Sequence, residues 1–182
     1  MHDDADAVRD ALEEEDGPVV LVGHSYGGMV ITDAAAGRQN VRHLVYVTSV
    51  MPDLGETMAD FGGEPGPWMD PDPDGGTMGV RAELVPAAFM QDCDAEAVSG
   101  GLERLTRQPL AVFGQAPRGV AWREKPSTYV VRAEDRATPP GAQRGFARRA
   151  DRVVELPTGH HPMLSKPAVL ARTISEAAVT VG

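Results

Sequence analysis

The sequence predicts an α/β fold, a mostly parallel sheet with helices on both faces. Three observations carry this. Residues 19–22 (VVLV) are an unbroken apolar run of the kind that forms a strand buried on both faces. A glycine-rich turn, Gly23-His24-Ser25-Tyr26-Gly27-Gly28, follows directly and leads into a helical pattern at residues 29–36. In the last third of the chain strand and helix patterns alternate, which calls for parallel strands joined by right-handed crossovers.

The elements follow in order. Residues 3–14 read as a helix, because Ala5, Val8, Ala11 and Leu12 fall on one stripe at helical spacing, and Gly17-Pro18 stops it. Gly37 is placed to cap the helix at 29–36, and residues 41–48 (VRHLVYVT) form the second strand. Residues 52–79 are dense in glycine, proline and aspartate and predict a loop-rich insertion. Short helices are expected at 82–89 and 95–105. The stretch 51–123 is thus expected as a cap within one domain, residues 1–182, whose core is 1–50 and 124–182. Regular alternation resumes with a strand at 127–133, a helix at 140–149, a strand at 152–156 and a last helix at 166–179, with Pro167 in its first turn.

With 182 residues the chain has the length of one domain and can bury a sizeable core. Its formal net charge of −10 disfavours nucleic acid or an anionic membrane as partner, since both would repel it. One cysteine, Cys93, excludes an internal disulfide and a multi-cysteine metal site. The first residues, MHDDADAVRD, lack the basic and apolar regions of a signal peptide, and no apolar run is long enough to span a bilayer. A cytoplasmic location is expected.

The turn Gly23-His24-Ser25-Tyr26-Gly27 matches G-x-S-x-G, and its strand and helix flanks give the match mechanical meaning. A tight strand-to-helix turn forces Ser25 into a strained conformation and lifts its hydroxyl above the sheet. Gly23 and Gly27 let the two arms approach, and the Tyr26 N–H at the helix start faces a developing oxyanion. No phosphate-binding G-x-x-x-x-G-K-[ST] or G-x-G-x-x-G is present. A serine nucleophile needs an imidazole base and a carboxylate to orient it, in chain order serine, acid, histidine. Asp135 follows the strand at 127–133 and His160 follows the strand at 152–156, so parallel strands bring both loops to the Ser25 end of the sheet. Glu134 and His161 are the adjacent alternatives; Asp135 lies one residue deeper in its loop, and His160 directly follows Gly159 with Pro162-Met163-Leu164 behind it. His161 is expected at the pocket rim, His43 packed in a strand, His2 in the terminal segment, and His24 in local hydrogen bonding without proton transfer.

The motifs Gly23-His24-Ser25-Tyr26-Gly27-Gly28, Glu134-Asp135 and Gly159-His160-x-Pro-Met-Leu resemble those of the α/β-hydrolases related to plant methylesterases and hydroxynitrile lyases, and of their bacterial esterase relatives. The resemblance implies a catalytic histidine in a His-x-x-Met-Leu context, which His160, Met163 and Leu164 match, and a catalytic aspartate eight residues before a glutamine, which Asp135 and Gln143 match. It implies an α/β-hydrolase fold, and a carboxylesterase-type serine hydrolase acting on a small apolar ester without metal or organic cofactor. Met51, Phe61, Trp68, Met69, Phe89 and Met90 are candidates for an acyl or alcohol pocket, or for cap core. Two other readings are an incomplete, inactive or ligand-binding hydrolase and a hydroxynitrile lyase-like enzyme, for which Lys125 is the only cap-side lysine. In that family further strands precede the counterpart of residues 3–15, and one of them ends in the loop with the second oxyanion N–H. The fold is therefore expected to be N-terminally truncated, with residues 19–22 at an open sheet edge through which copies self-associate.

Overall fold

In the computed structural model, which describes residues 1–62 and 66–179, the chain runs α1 (His2–Glu13), β1 (Val19–His24), α2 (Gly27–Ala34) and β2 (Val41–Val47). It continues through α3 (Met58–Phe61), β3 (Met69–Pro71), β4 (Thr77–Val80), α4 (Val85–Ala88), α5 (Ala95–Leu102) and β5 (Gln108–Pro109). It closes with β6 (Ser127–Arg132), α6 (Pro140–Ala147), β7 (Arg152–Leu156), α7 (Pro162–Ser165) and α8 (Pro167–Val179). The strands β1-β2-β6-β7, in that order, form a four-stranded sheet, and every pairing is parallel.

The side-chain alternation of β2 and β6 sorts the core into two layers. Leu44, Tyr46, Tyr129 and Val131 pack with Leu12, Ile31 and Ala147 from α1, α2 and α6. Val45, Val47 and Val130 face the other way, onto Leu170 and Ala177 of α8. Successive residues on opposite sheet faces produce this split, and each fully buried Val or Leu contributes about 1.5–3 kcal/mol. The two central strands are the buried ones: all six residues of β6 are buried.

β1 is not buried on both faces as its composition suggests. It lies at the sheet edge with β2 as its only neighbour among the described residues, only Gly23 is fully buried, and Val22 is 38% exposed. Apolar composition reports what a strand tolerates; its place in the sheet sets its exposure. The ladder to β2 runs on to His24 opposite Val47, which is why the strand outlasts the apolar run. The helix after it ends at Ala34 with Ala35 as its cap, and the turn beyond closes at Gly37 with a positive φ of 71°.

The stretch between β2 and β6 is more ordered than its glycine and proline content suggests, although its residues 63–65 lie outside the described ones. β3, β4 and β5 form a small antiparallel sheet. One side chain laces it: Arg107 donates to the Asp70 carboxylate and carbonyl, both at 2.7 Å, and to the Thr77 hydroxyl at 2.8 Å. Residues 82–89 form a short 3-10 turn followed by α4, and the second expected helix stops at Leu102. Among the described residues no helix is long and apolar enough to cross a membrane.

A buried ion cluster ties α1, α2 and the end of the cap together. Asp33 is fully buried in α2, with Arg9 of α1 at 2.6 Å and Arg118 at 2.8 Å, and it also accepts the Arg118 backbone N–H at 2.7 Å. Burial alone would raise its pKa; the Arg118 hydrogen bonds and the Arg118 and Arg9 charges outweigh that and hold it below the ordinary carboxylate range. Asp33→Ala is expected to lower the unfolding free energy by about 2–3 kcal/mol at neutral pH, the loss of charge-assisted hydrogen bonds. A depressed carboxylate contributes stability above its unfolded-state pKa of about 3.9 and loses it as pH falls through the folded-state value. The gap between wild type and variant therefore narrows in acid, which urea unfolding at neutral and acid pH measures.

Candidate active site

The turn after β1 begins with a steric requirement. A Cβ on Gly23 would stand 2.8 Å from the Gly27 carbonyl oxygen and from Ile31 Cδ1. The second tight position is Gly28 and not Gly27: a Cβ at 27 meets nothing within 4 Å, whereas one at 28 would fall 1.9 Å from the Val50 carbonyl oxygen. The helix start is thus pressed against the loop after β2. Between these glycines Ser25 has a φ of 52°, a left-handed conformation that is uncommon for a residue with a side chain. Its N–H donates to the Val47 carbonyl at 3.2 Å, and its own carbonyl accepts from the Ser49 hydroxyl at 2.5 Å. Among the described residues neither the Ser25 hydroxyl nor the Tyr26 N–H makes a hydrogen bond. The Tyr26 side chain points away, to Asp4 of α1.

Asp135 lies beyond the end of β6, 4% exposed, while Glu134 beside it is exposed. Its Oδ1 accepts the N–H groups of Ala137 at 2.8 Å and Thr138 at 2.9 Å. Its Oδ2 accepts from His160 Nδ1 at 2.9 Å, from Gln143 Nε2 at 3.1 Å, and from the Thr48 hydroxyl. Burial alone would raise its pKa; the His160 hydrogen bond and charge, with Thr48 and Thr138, hold it below the ordinary range, so it is ionised at neutral pH. A carboxylate only accepts, so His160 carries its proton on Nδ1 and leaves Nε2 as the acceptor nitrogen.

His24, in the elbow itself, donates through Nε2 to the His160 carbonyl at 2.8 Å, and its ring centroid lies 4.8 Å from that of His160. Burial and the neighbouring His160 bring its pKa down to about 3, which keeps it neutral. His161 turns to the cap, donating from Nδ1 to the Phe89 carbonyl at 3.1 Å. His43 is buried in β2 against the Thr128 hydroxyl, at 2.9 Å, and His2 meets the Ala116 carbonyl at 2.9 Å.

The sequence-predicted Ser25, Asp135 and His160 therefore stand at the same ends of β1, β6 and β7. Thr48 and Ser49 were not legible in the sequence. Thr48 has a φ of 42°, rare for a β-branched residue, and this points its hydroxyl at Asp135 while Val47 holds Ser25. Gln143 does more than its spacing implies: it also accepts the Arg132 N–H at 2.8 Å and donates to the Thr138 carbonyl at 2.7 Å.

Comparison with known proteins places this geometry. The model of the Alpha/beta hydrolase family matches residues 1–173. The chain belongs to the alpha/beta hydrolase family. An alpha/beta hydrolase of Aspergillus novofumigatus is 28% identical over 196 residues, which cover 97% of this chain and 77% of the relative. The crystal structure of a pyrethroid hydrolase from Sphingobium faniae superposes with a TM-score of 0.78 at 27% identity, covering 94% of this chain and 75% of its own. A methylesterase from Arabidopsis has the same fold, with a TM-score of 0.76 at 19% identity over 95% of this chain and 75% of its own.

In this hydrolase a cavity of about 1080 Å³ opens between the cap and the acid loop. Phe61, Trp68 and Met69 line it as the sequence suggests, joined by Met58, Met78 and Phe113. Ala137 and Thr138, the donors to Asp135, form part of its wall, whereas Ser25 and His160 lie outside the lining. Met51 and Met90 are buried core, and Phe89 packs edge-on against His160 at 5.3 Å. Lys125 sits just before β6, beside Asp151 just before β7, at the sheet end opposite Ser25; it supplies no cation for a lyase site. No group of three or more His, Cys, Asp or Glu side chains among the described residues is arranged to hold a metal ion. Gln143→Leu is expected to cost about 2–4 kcal/mol, because it orphans the buried Arg132 N–H and Thr138 carbonyl and removes a donor from Asp135. Chemical denaturation measures this.

Proposed function

We propose that this chain is a carboxylesterase-type serine hydrolase in which Ser25 is the nucleophile, His160 the general base and acid, and Asp135 the group that orients His160. The observation that carries this reading is the His160–Asp135 pair. The carboxylate fixes the proton on Nδ1 and leaves Nε2 to accept one, next to an elbow whose serine is strained and unbonded. Hydrogen bonds of this kind are often loose without substrate and tighten in the reacting complex.

The geometry supports the following roles. The Ser25 hydroxyl attacks the ester carbonyl as His160 Nε2 takes its proton, and the ionised Asp135 stabilises the imidazolium. The Tyr26 N–H, at the start of α2 and without an acceptor among the described residues, donates to the oxyanion. His160 then protonates the leaving alcohol, and water, activated by the same imidazole, releases the acid from Ser25. Apart from Arg136 and Thr138 the cavity wall is apolar, which supports a largely apolar substrate, and its volume admits esters larger than the small ones the family resemblance implied.

Ser25 is expected to react with a fluorophosphonate probe, and Ser25→Ala to abolish the labelling. A folded protein that is never labelled would instead support a hydrolase fold without activated serine. On a short-chain aryl ester, His160→Ala is expected to cost as much as Ser25→Ala, because such groups act as a unit. Asp135→Asn is expected to cost about 10⁴-fold through the wrong tautomer, while His161→Ala and Glu134→Gln remain mild. A dead His161→Ala with an active His160→Ala would overturn the assignment of the base.

A further inference from the structure

The segment after α4 crosses both loops that carry the proposed acid and base. Gln91 Nε2 donates to the Glu134 carbonyl at 2.7 Å, next to Asp135. Asp92 Oδ2 accepts the Gly159 N–H at 2.7 Å, next to His160. His161 reaches back to the Phe89 carbonyl, and the Phe89 ring packs on His160. Gly159 is shaped for this contact: a Cβ there would stand 2.4 Å from Asp92 Oδ1 and 2.6 Å from Gln91 Nε2.

Beneath this contact lies Arg132, the last residue of β6 and fully buried. Among the described residues its one side-chain hydrogen bond is from Nη1 to the Thr158 hydroxyl, at 3.4 Å, while Nε and Nη2 have no hydrogen-bond partner. Burial brings its pKa down to about 10, against the opposing charges of Asp135 and Asp92. Asp135 gives Arg132 no hydrogen bond, because its oxygens are taken by Thr48, Ala137, Thr138, Gln143 and His160. Asp92 is then the carboxylate free to offset the buried cation without drawing on the one that orients His160. Among the described residues its Oδ1, like Gln91 Oε1, has no hydrogen-bond partner.

We propose that Asp92, with Gln91 beside it, is a positioning residue: it latches the cap to the loops of Asp135 and His160, sets the His160 imidazole through the Gly159 N–H, and balances Arg132. The proposal rests on the assignment of Ser25, His160 and Asp135 above, and the test separates the two.

Asp92→Ala and Asp92→Asn would be compared with wild type by turnover of 4-nitrophenyl butyrate, fluorophosphonate labelling of Ser25, amide hydrogen exchange at Gly159, and thermal unfolding. Asp92→Ala is expected to lower kcat by about 10–100-fold with KM within about twofold, the scale of a misplaced catalytic group. It should also speed Gly159 exchange by at least about tenfold, an opening cost of one hydrogen bond. Asp92→Asn keeps an acceptor oxygen and loses the charge. It should hold kcat within about threefold of wild type and keep Gly159 protected, yet unfold at a lower temperature because Arg132 loses one of the two opposing charges near it. Turnover then follows the hydrogen bond while stability follows the charge, a split that a merely structural role does not produce. Unchanged Gly159 exchange in Asp92→Ala, or a kcat in Asp92→Asn as low as in Asp92→Ala, would overturn the latch. A wild type that is never labelled at Ser25 would overturn the catalytic assignment, and Gly159 exchange would still decide the latch.

Discussion

The saturation of one buried carboxylate organises the working end of this molecule. Asp135 accepts from five donors that reach it from the loop after β2, from its own loop, from α6 and from the loop after β7. A charge withdrawn from water is tolerated only when its lone pairs are met, so these segments are constrained to arrive together. The strained φ of Thr48 follows from this demand, since an ordinary extended residue there would send its hydroxyl elsewhere. The depressed pKa of Asp135 is the electrostatic record of the same arrangement.

Ser25, Asp135 and His160 were legible in the sequence for a common reason. Each sits in the turn or loop that follows a strand with a local β-branched apolar stretch, and parallel pairing carries strand order into spatial proximity without further information. Loop depth, the Pro139-Pro140 stop and the eight-residue spacing to Gln143 favour Asp135 over Glu134 in the sequence; in the structure Asp135 is buried and Glu134 exposed. Thr48 and Ser49 were hidden because nothing local to VRHLVYVT announces a left-handed residue at its end. The steric role given to Gly27 belongs to Gly28, because the close approach comes from Val50 in another segment rather than from the elbow itself. The cap strands escaped for a related cause. β3 and β5 are two or three residues long and contain proline, and they are held by Arg107, whose bonds to Thr77 and Asp70 span 30 and 37 positions.

The edge position of β1 shows how composition and placement diverge. Val19–His24 has the makeup of a central strand, and on one side it is paired as one along its whole length with β2, with one register shift between Val19 and Val20. Its exposure comes from the other side. The turn that carries Ser25 is therefore braced from β2, through Val47, from the loop after it, through Ser49, and from α2, through the packing of Gly23 on Ile31. The precision of the elbow rests on these neighbours, which makes the loop after β2 as consequential for Ser25 as the strand that carries it.

Three of the cavity-lining side chains, Met58, Met69 and Met78, are thioethers. Methionine is unbranched and polarizable, so such a wall moulds itself to differently shaped guests instead of selecting one outline. It is also the part of the site most open to chemical damage. Peroxide converts each sulfur to a polar, chiral sulfoxide that methionine sulfoxide reductases can reverse. Oxidation would thus roughen and wet this cavity wall, to which neither Ser25 nor His160 contributes. The breadth of guests the cavity admits would then vary with the redox history of its surroundings.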